Sequence, residues 1–267
     1  MTSQQTVNRG RIRLEPSPKR VRVQLGGLTV ADSGRAVLVW EKPYYPTYYF
    51  PIGDVRTDLL VPDSGVSHSP SRGDGTLYTV TAGGRTAPGA AVRYEQSPIP
   101  ELRDLVRFDW EAMDHWFEED EEVYTHPRDP YTRVDILASS RRVQVEVDGV
   151  TVADSTSPRL LFETGLPTRY YLPKTDVRMD LLQHTDTSTG CPYKGTAEYW
   201  SIDVDGHSHP DLAWSYKAPF AESQKIAGLI AFYNEKVDLI VDGVRLDRSA
   251  ERSSPANSGP QVHSRHA

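Results

Sequence analysis

Apolar and polar residues alternate along much of this chain with a period of two, which predicts half-buried β-strands. The pattern is clearest in VRVQL from Val21 and in VQVEV from Val143. Each segment runs through a turn, Gly-Gly in the first and Asp-Gly in the second, into another strand that ends in the motif VADS. The sequence therefore predicts two antiparallel β-hairpins, one in each half of the chain.

Further strand signals occur in pairs, with one member in each half of the chain. The paired segments are residues 37–41 with 160–163, 48–50 with 170–172, 77–81 with 197–204, and 90–94 with 212–216. Helix signals are scarce, and they predict only one or two turns at residues 54–60, 176–182 and 221–226. We therefore expect a mainly β protein with short helices.

The two halves are copies of one module. Residues 20–60 realign without a gap onto residues 142–182 at a constant offset of 122, and roughly half of these positions are identical. VADS occurs in both copies, YYFP matches YYLP, and DVRTDLL matches DVRMDLL. The sequence therefore predicts two tandem antiparallel β modules.

Composition places the module boundaries. The polar ends, residues 1–18 and 248–267, are predicted to be disordered tails. The first module spans residues 19–126, a linker containing two prolines spans 127–140, and the second module spans 141–247. Near residues 107–122 the helical spacing of Trp110, Met113 and Phe117 predicts an amphipathic helix inserted into the first module.

Charge and cysteine content exclude several classes of function. The net charge of −7 and the pI near 5.6 argue against nucleic-acid binding. No apolar stretch suits a membrane span and the N-terminus lacks a signal peptide, so we expect a cytoplasmic protein without a membrane partner. The single cysteine excludes an internal disulfide and a zinc site of paired CxxC motifs, and the His207–His209 pair has the sequence context of a loop. We expect neither a metal nor a cofactor.

Beyond the clear repeat, the second copy contains CPYKG at residues 191–195. Matching the Gly-Thr pairs at 75–76 and 195–196 places Ser71 opposite Cys191 and Asp74 opposite Lys194. On this alignment the thiol and the cation occur in one copy alone, which makes them site candidates. Cys191 is then a nucleophile or a ligand contact, and Lys194 favours its thiolate or binds an anion. The alternative is a small buried thiol beside a solvated lysine.

Aromatic residues of the second copy surround this segment in the predicted strands and loop. Rings with one cation at a strand-to-loop junction are typical of a small-molecule site, and Glu163 is a further candidate for its polar end. The candidate ligand-binding residues are Arg169, Tyr171, Tyr193, Lys194, Trp214 and Tyr216.

The motifs VADS, RYYLPKTDV, CPYKG, AEYW, AWSY and AFYNEKVD, with the closing DG, resemble the domain of unknown function 427 family in its tandem form. The resemblance covers residues 20–246. It implies a compact antiparallel β module akin to the β-tent folds. Several β-tent relatives carry zinc on paired CxxC motifs, which this chain lacks. The family has also been labelled nucleotidyltransferase-like, but this sequence contains no metal-binding carboxylate group suited to that reaction.

We therefore expect the second module to bind an unidentified small molecule, while the first is a scaffold that covers an edge or completes a homodimer. One alternative is an enzyme of acyl or nucleotidyl transfer, with Cys191 as nucleophile and Lys194 as its electrostatic partner. Such an enzyme also needs a base, and no histidine has a suitable position in the sequence. The other alternative is a protein interaction platform joined through exposed strand edges.

Overall fold

The computed structural model describes residues 7–9 and 12–248. The chain divides into two compact units, Met1–Asp129 (unit 1) and Pro130–Ala267 (unit 2). Each unit has a larger and a smaller sheet, and all the pairings between strands are antiparallel. The prediction of a mainly β protein with two antiparallel halves is confirmed.

The strands of unit 1 are β1 (Val7–Arg9), β2 (Ile12–Pro16), β3 (Val21–Leu25), β4 (Leu28–Ser33), β5 (Val37–Lys42), β6 (Tyr45–Pro51), β7 (Leu60–Ser69), β8 (Gly73–Ala82), β9 (Arg85–Arg93), β10 (Leu105–Phe108), β11 (His115–Glu118) and β12 (Glu121–Val123). The strands of unit 2 are β13 (Val134–Ala138), β14 (Val143–Val147), β15 (Val150–Ser155), β16 (Arg159–Glu163), β17 (Arg169–Leu172), β18 (Leu182–Cys191), β19 (Gly195–Val204), β20 (His207–Ser215), β21 (Ile230–Phe232), β22 (Asp238–Val241) and β23 (Val244–Arg245). Short 3-10 turns lie at Ile52–Asp54, Thr57–Leu59, Pro100–Leu102, Lys174–Asp176, Met179–Leu181 and Ala221–Ile226. Within the described residues, no helical segment has the length and apolarity needed to cross a membrane.

The two units share one topology. The larger sheets have the orders β1-β2-β5-β6-β10-β9-β8-β7 and β13-β16-β17-β21-β20-β19-β18, which agree strand for strand once β1 is set aside. The smaller sheets, β12-β11-β3-β4 and β15-β14-β22-β23, also agree when one order is reversed. The repeat seen in the sequence is therefore a repeat of the whole fold.

The strand registers extend the repeat beyond the segment that the sequence aligns. Leu77 lies opposite Val92 in unit 1, and Tyr199 lies opposite Trp214 in unit 2, at the same offset of 122 residues. The same offset relates β2 to β13. Positions 12–94 of unit 1 therefore correspond to positions 134–216 of unit 2.

Each larger sheet has two faces. The inner face packs against the smaller sheet; in unit 2 this core includes Leu172, Ile202 and Val145. The outer face of unit 2 has its own buried cluster, which includes Tyr171, Tyr216 and Ile226. Ile226 belongs to residues 217–229, which we call the covering segment.

The motifs common to both copies form the scaffold. The serine of VADS donates a hydrogen bond to the aspartate of DVR, from Ser33 to Asp54 in unit 1 and from Ser155 to Asp176 in unit 2, with a length of 2.6 Å in both. These bonds tie the end of a hairpin to the paired 3-10 turns that lead into the next strand. Their structural role accounts for the identity of these residues in both copies.

The predicted helical insertion near residues 107–122 is wrong. The chain there forms strands β10, β11 and β12. Trp116 is buried and its ring stacks on that of Trp110, with the centroids 4.4 Å apart. The apolar spacing suited a helix, but pairing of β11 with β3 completes the smaller sheet, as β22 does in unit 2.

Two predicted irregular regions also contain strands. Residues 12–16, in the expected N-terminal tail, form β2, where Ile12 and Leu14 are buried. Residues 134–138, in the expected linker, form the matching strand β13, in which Ile136 is buried. Burial of these apolar side chains in a sheet overrides the polar composition of the two regions. Residues 249–267 of the expected C-terminal tail lie outside the described residues.

Candidate functional site

The CPYKG segment forms the turn between β18 and β19, and the covering segment holds it in place. The backbone amide of Phe220 donates to the carbonyl of Lys194 over 3.2 Å, and the Ser223 hydroxyl donates to the carbonyl of Tyr193 over 3.1 Å. These two hydrogen bonds from the covering segment fix the backbone of the turn, so the Cα of Lys194 has a defined position.

Lys194 forms a buried ion pair with Glu163. Lys194 is 8% exposed, and its Nζ lies 2.5 Å from Oε2 of Glu163. Burial alone would lower the pKa of Lys194, but its neighbours, Cys191 first and Glu163 second, raise it above its ordinary value. Lys194 is therefore a cation at neutral pH, and the glutamate opposite it balances its charge.

Cys191 lies beside this ion pair at the end of β18. It is partly exposed, and it packs against the outer-face cluster that contains Tyr171 and Tyr216. The structure thus brings together the thiol, the cation and two of the predicted tyrosines.

The two tyrosines differ in their hydrogen bonding. The Tyr171 hydroxyl accepts a hydrogen bond of 3.1 Å from Nε1 of Trp214. Tyr216 is fully buried, and its hydroxyl has no hydrogen-bond partner. Burial, followed by the influence of Cys191, raises the pKa of Tyr216 well above its ordinary value, so this hydroxyl keeps its proton.

The other predicted residues play different parts. Trp214 is 2% exposed and supports Tyr171 from within the outer-face cluster. Arg169 pairs through two hydrogen bonds, of 2.7 and 3.2 Å, with Glu235 rather than with Glu163. Tyr193 is partly exposed in the turn. Sequence reasoning missed the Arg169–Glu235 pair.

The first copy has a matching segment, and the predicted alignment of it is wrong by two residues. Ser69 pairs with Gly73 in the register in which Cys191 pairs with Gly195. SPSRG at residues 69–73 therefore corresponds to CPYKG, and Arg72 takes the position of Lys194. The thiol occurs once in the repeat, but the cation occurs twice.

Arg72 closes the equivalent cluster of unit 1. Its Nη1 donates to Oε1 of Glu41 over 2.6 Å and to the Tyr49 hydroxyl over 2.8 Å, while its Nε donates to Oγ of Ser69 over 3.1 Å. Its guanidinium carbon also lies 4.7 Å from the ring centroid of Tyr94, which corresponds to Tyr216. Arg72 thereby forms a hydrogen bond with the hydroxyl that replaces the thiol, and it covers the ring of the equivalent tyrosine.

The hydroxyl of Tyr94 is also satisfied, unlike that of Tyr216. It lies 3.3 Å from Oγ of Ser67. In unit 2 the counterpart of Ser67 is Thr189, whose hydroxyl instead lies 2.8 Å from that of Tyr199. The hydroxyl at this position thus bonds Tyr94 in unit 1, but in unit 2 it bonds Tyr199 and not Tyr216.

One small residue differs between the two units: it is Gly75 on β8 of unit 1 and Ala197 on β19 of unit 2. A Cβ added to Gly75 would come within 2.8 Å of the Tyr94 ring, and the position of Gly75 is occupied in unit 2 by Ala197, which is fully buried. The same Cβ would come still closer, to 2.6 Å, to Cγ2 of Val92, so the packing around Gly75 has no room for the alanine that unit 2 carries at this position.

The fold and these clusters define a class of protein: a tandem pair of antiparallel β units, each with a cation–glutamate cluster on the outer face of its larger sheet. The chain belongs to the family described as a domain of unknown function (DUF427), which matches residues 13–119 and 135–243. One matched region lies in each unit, so the tandem form is confirmed. No curated protein matches the chain. Within the described residues there is no group of three or more histidine, cysteine or acidic side chains arranged to hold a metal ion.

Proposed function

We propose that unit 2 is a small-molecule binding module whose site is the cluster of Lys194, Glu163, Cys191 and Tyr216. The observation that carries this proposal is the Tyr216 hydroxyl, which is fully buried and has no partner. Leaving a buried hydroxyl unpaired costs about 1–3 kcal/mol, and native structures rarely accept that cost without an occupant such as a ligand or an ordered water.

Unit 1 supports the proposal as an internal comparison. Its Arg72 bonds Ser69 and covers the ring of Tyr94, so the same cluster is filled by the protein itself. A lysine in that position is shorter and lacks the Nε donor, which leaves the thiol and the second tyrosine without these contacts. In this view unit 1 is the scaffold copy and unit 2 is the binding copy.

The enzyme alternative has one observation in its favour, the partly exposed Cys191 beside Lys194. A turnover reaction would also need a general base. His184 lies 3.5 Å from Glu198, His209 lies 2.9 Å from Asp148, and Glu163 is committed to Lys194. The cluster therefore favours binding over turnover. A Cys191 that fails to react with an alkylating reagent in the folded protein would remove the nucleophile.

The variant Lys194→Arg tests the binding proposal, because unit 1 already contains this arrangement with arginine. It keeps the charge and the pairing with Glu163 while filling the site. We expect small, uncharged polar compounds that raise the melting temperature of the wild type to have no such effect on Lys194→Arg. The matched control, Arg72→Lys, should leave that response intact.

The measurement is a thermal-shift screen of one compound panel against the wild type and both variants. Equal stabilisation of the wild type and Lys194→Arg by every active compound would contradict the proposal. A panel with no active compound for the wild type would do the same.

A further inference from the structure

The groups around Cys191 are hydrogen-bond donors. Tyr171 and Tyr216 both stay protonated at neutral pH, because burial raises their pKa values, that of Tyr171 to about 12. Tyr171 accepts from Trp214, so its own proton is free to be donated elsewhere. Tyr216 has no partner, and the Lys194 ammonium carries more protons than its single bond to Glu163 uses.

The charge balance of the cluster limits what these donors can hold. The positive charge of Lys194 is matched by Glu163 at 2.5 Å, so the pair has no net formal charge. A carboxylate or phosphate brought into this buried cluster would lose its hydration without finding an uncompensated cation. An uncharged oxygen acceptor has a much smaller desolvation cost.

Hydrogen-bond donors packed in one cluster with a thiol suit one electrophile in particular, a carbonyl carbon whose oxygen accepts those hydrogen bonds. We propose that Cys191 reversibly captures a small uncharged aldehyde or ketone as a hemithioacetal or hemithioketal, with the Tyr216 hydroxyl bound to the carbonyl oxygen. This inference rests on the proposed binding function and names the chemical class of its ligand.

The reaction needs no oxidant or cofactor. The sulfur of Cys191 forms a bond to the carbonyl carbon while the C=O π bond breaks. The oxygen takes a proton from Tyr216, which is restored by the proton that the thiol gives up, so that the adduct is neutral. Reversal breaks the C–S bond and returns the proton to sulfur. His184 and His209 are paired with Glu198 and Asp148, so neither is poised as a base that would carry the adduct on to another product.

Unit 1 does not offer this chemistry. Ser69 replaces the thiol, and its hydroxyl already accepts a hydrogen bond from Arg72. A neutral serine hydroxyl is also a far weaker nucleophile than a cysteine thiol. Unit 1 has serine and arginine at the positions of Cys191 and Lys194. The variants Cys191→Ser and Lys194→Arg therefore introduce residues that the same fold already contains, and both serve as controls.

Carbon NMR of the full chain with acetaldehyde labelled with ¹³C at the carbonyl carbon tests the inference. For the wild type we expect a hemithioacetal resonance, distinct from free aldehyde and its hydrate, that disappears on dilution. The resonance should be absent in Cys191→Ser and in Lys194→Arg. Tyr216→Phe should weaken the capture about tenfold, the effect of losing one hydrogen bond of roughly 1.4 kcal/mol.

Acetamide separates this inference from the proposed function, because it presents a similar carbonyl oxygen but resists attack by a thiol. Its binding is followed by saturation-transfer NMR with the same proteins. Acetamide binding to the wild type and not to Lys194→Arg, without any hemithioacetal, would overturn carbonyl capture and leave the binding site standing. Absence of both signals would overturn both proposals. A hemithioacetal that persists unchanged in Tyr216→Phe and Lys194→Arg would also overturn capture at this site.

Discussion

Arg72 and Lys194 occupy the same position of the repeat and carry the same charge, yet they form different hydrogen bonds with the groups around them. The guanidinium reaches Glu41, Tyr49 and Ser69 at once, whereas the ammonium bonds Glu163. A planar group with five donors can bridge partners that a point charge cannot reach together. The exchange of one cation for another therefore changes which groups of the cluster are bonded within the protein.

The two equivalent tyrosines provide a stability test at the residue scale. Tyr216→Phe removes a buried hydroxyl without a partner, so we expect the free energy of unfolding of the ligand-free protein to rise by about 1 kcal/mol. Tyr94→Phe removes a hydroxyl bonded to Ser67, so we expect a decrease of about the same size. Denaturant unfolding of the two single variants measures both changes.

Opposite signs at the two positions are the essential result. A loss of more than 1 kcal/mol in Tyr216→Phe would mean that this hydroxyl has a partner within the protein. In that case the main observation behind the binding site would be lost.

The candidate residues were only partly predictable from the sequence. CPYKG was identified by its chemistry, and the structure does bring Cys191, Lys194, Tyr171 and Tyr216 together. The corresponding segment of unit 1 was misaligned because the Gly-Thr pairs match by identity. In the structure Gly73 matches Gly195 in register and in its positive φ, 85° and 99°. Backbone conformation fixes that position, whereas Gly75 is required by contact with Val92 and Tyr94.

At the scale of strands, the units differ in how one sheet edge is protected. In unit 1, β1 pairs with β2 and covers it. In unit 2 the matching strand β13 is the outermost strand of its sheet, and the Lys225 ammonium donates to the carbonyl of Ile136 over 3.1 Å. Leu137 and Phe162 are exposed nearby, at 54% and 40%. A lysine on an exposed edge is a known means of preventing strands from pairing between molecules.

Removal of that lysine should therefore promote association. We expect Lys225→Ala to self-associate in a concentration-dependent manner, because the Ile136 carbonyl becomes available to a strand of another molecule. Sedimentation velocity over a range of protein concentrations measures the effect. Lys217→Ala removes an exposed lysine of the same covering segment and serves as the control. A Lys225→Ala profile identical to that of the wild type would show that the edge is protected by other means.

The strands were largely predictable because their signals are local. Alternating apolar residues and Asp-Gly or Gly-Gly turns predicted the hairpins β3–β4 and β14–β15, and both are present. The error at residues 107–122 arose because three apolar residues there also fit a helix. Pairing with a strand distant in the sequence decided the outcome, and spacing within the segment does not report such a partner.

At the scale of the whole chain, duplication has produced two units with one topology and different outer-face chemistry. The bonds that tie VADS to DVR are the same in both, so they maintain the fold. The cluster around the repeat's cation also occurs twice, which the sequence alignment failed to reveal. Its thiol, its additional aromatic rings and its unpaired hydroxyl belong to unit 2 alone among the described clusters.

The most direct test of this account is a pair of high-resolution crystal structures, of the wild type and of Lys194→Arg. The account predicts, in the wild type, electron density for a bound molecule or water within hydrogen-bond distance of the Tyr216 hydroxyl. In Lys194→Arg, the introduced guanidinium should lie over the Tyr216 ring, as Arg72 lies over Tyr94, and that density should be gone. A wild-type structure in which the Tyr216 hydroxyl bonds only to protein groups, with no density beside it, would contradict the account.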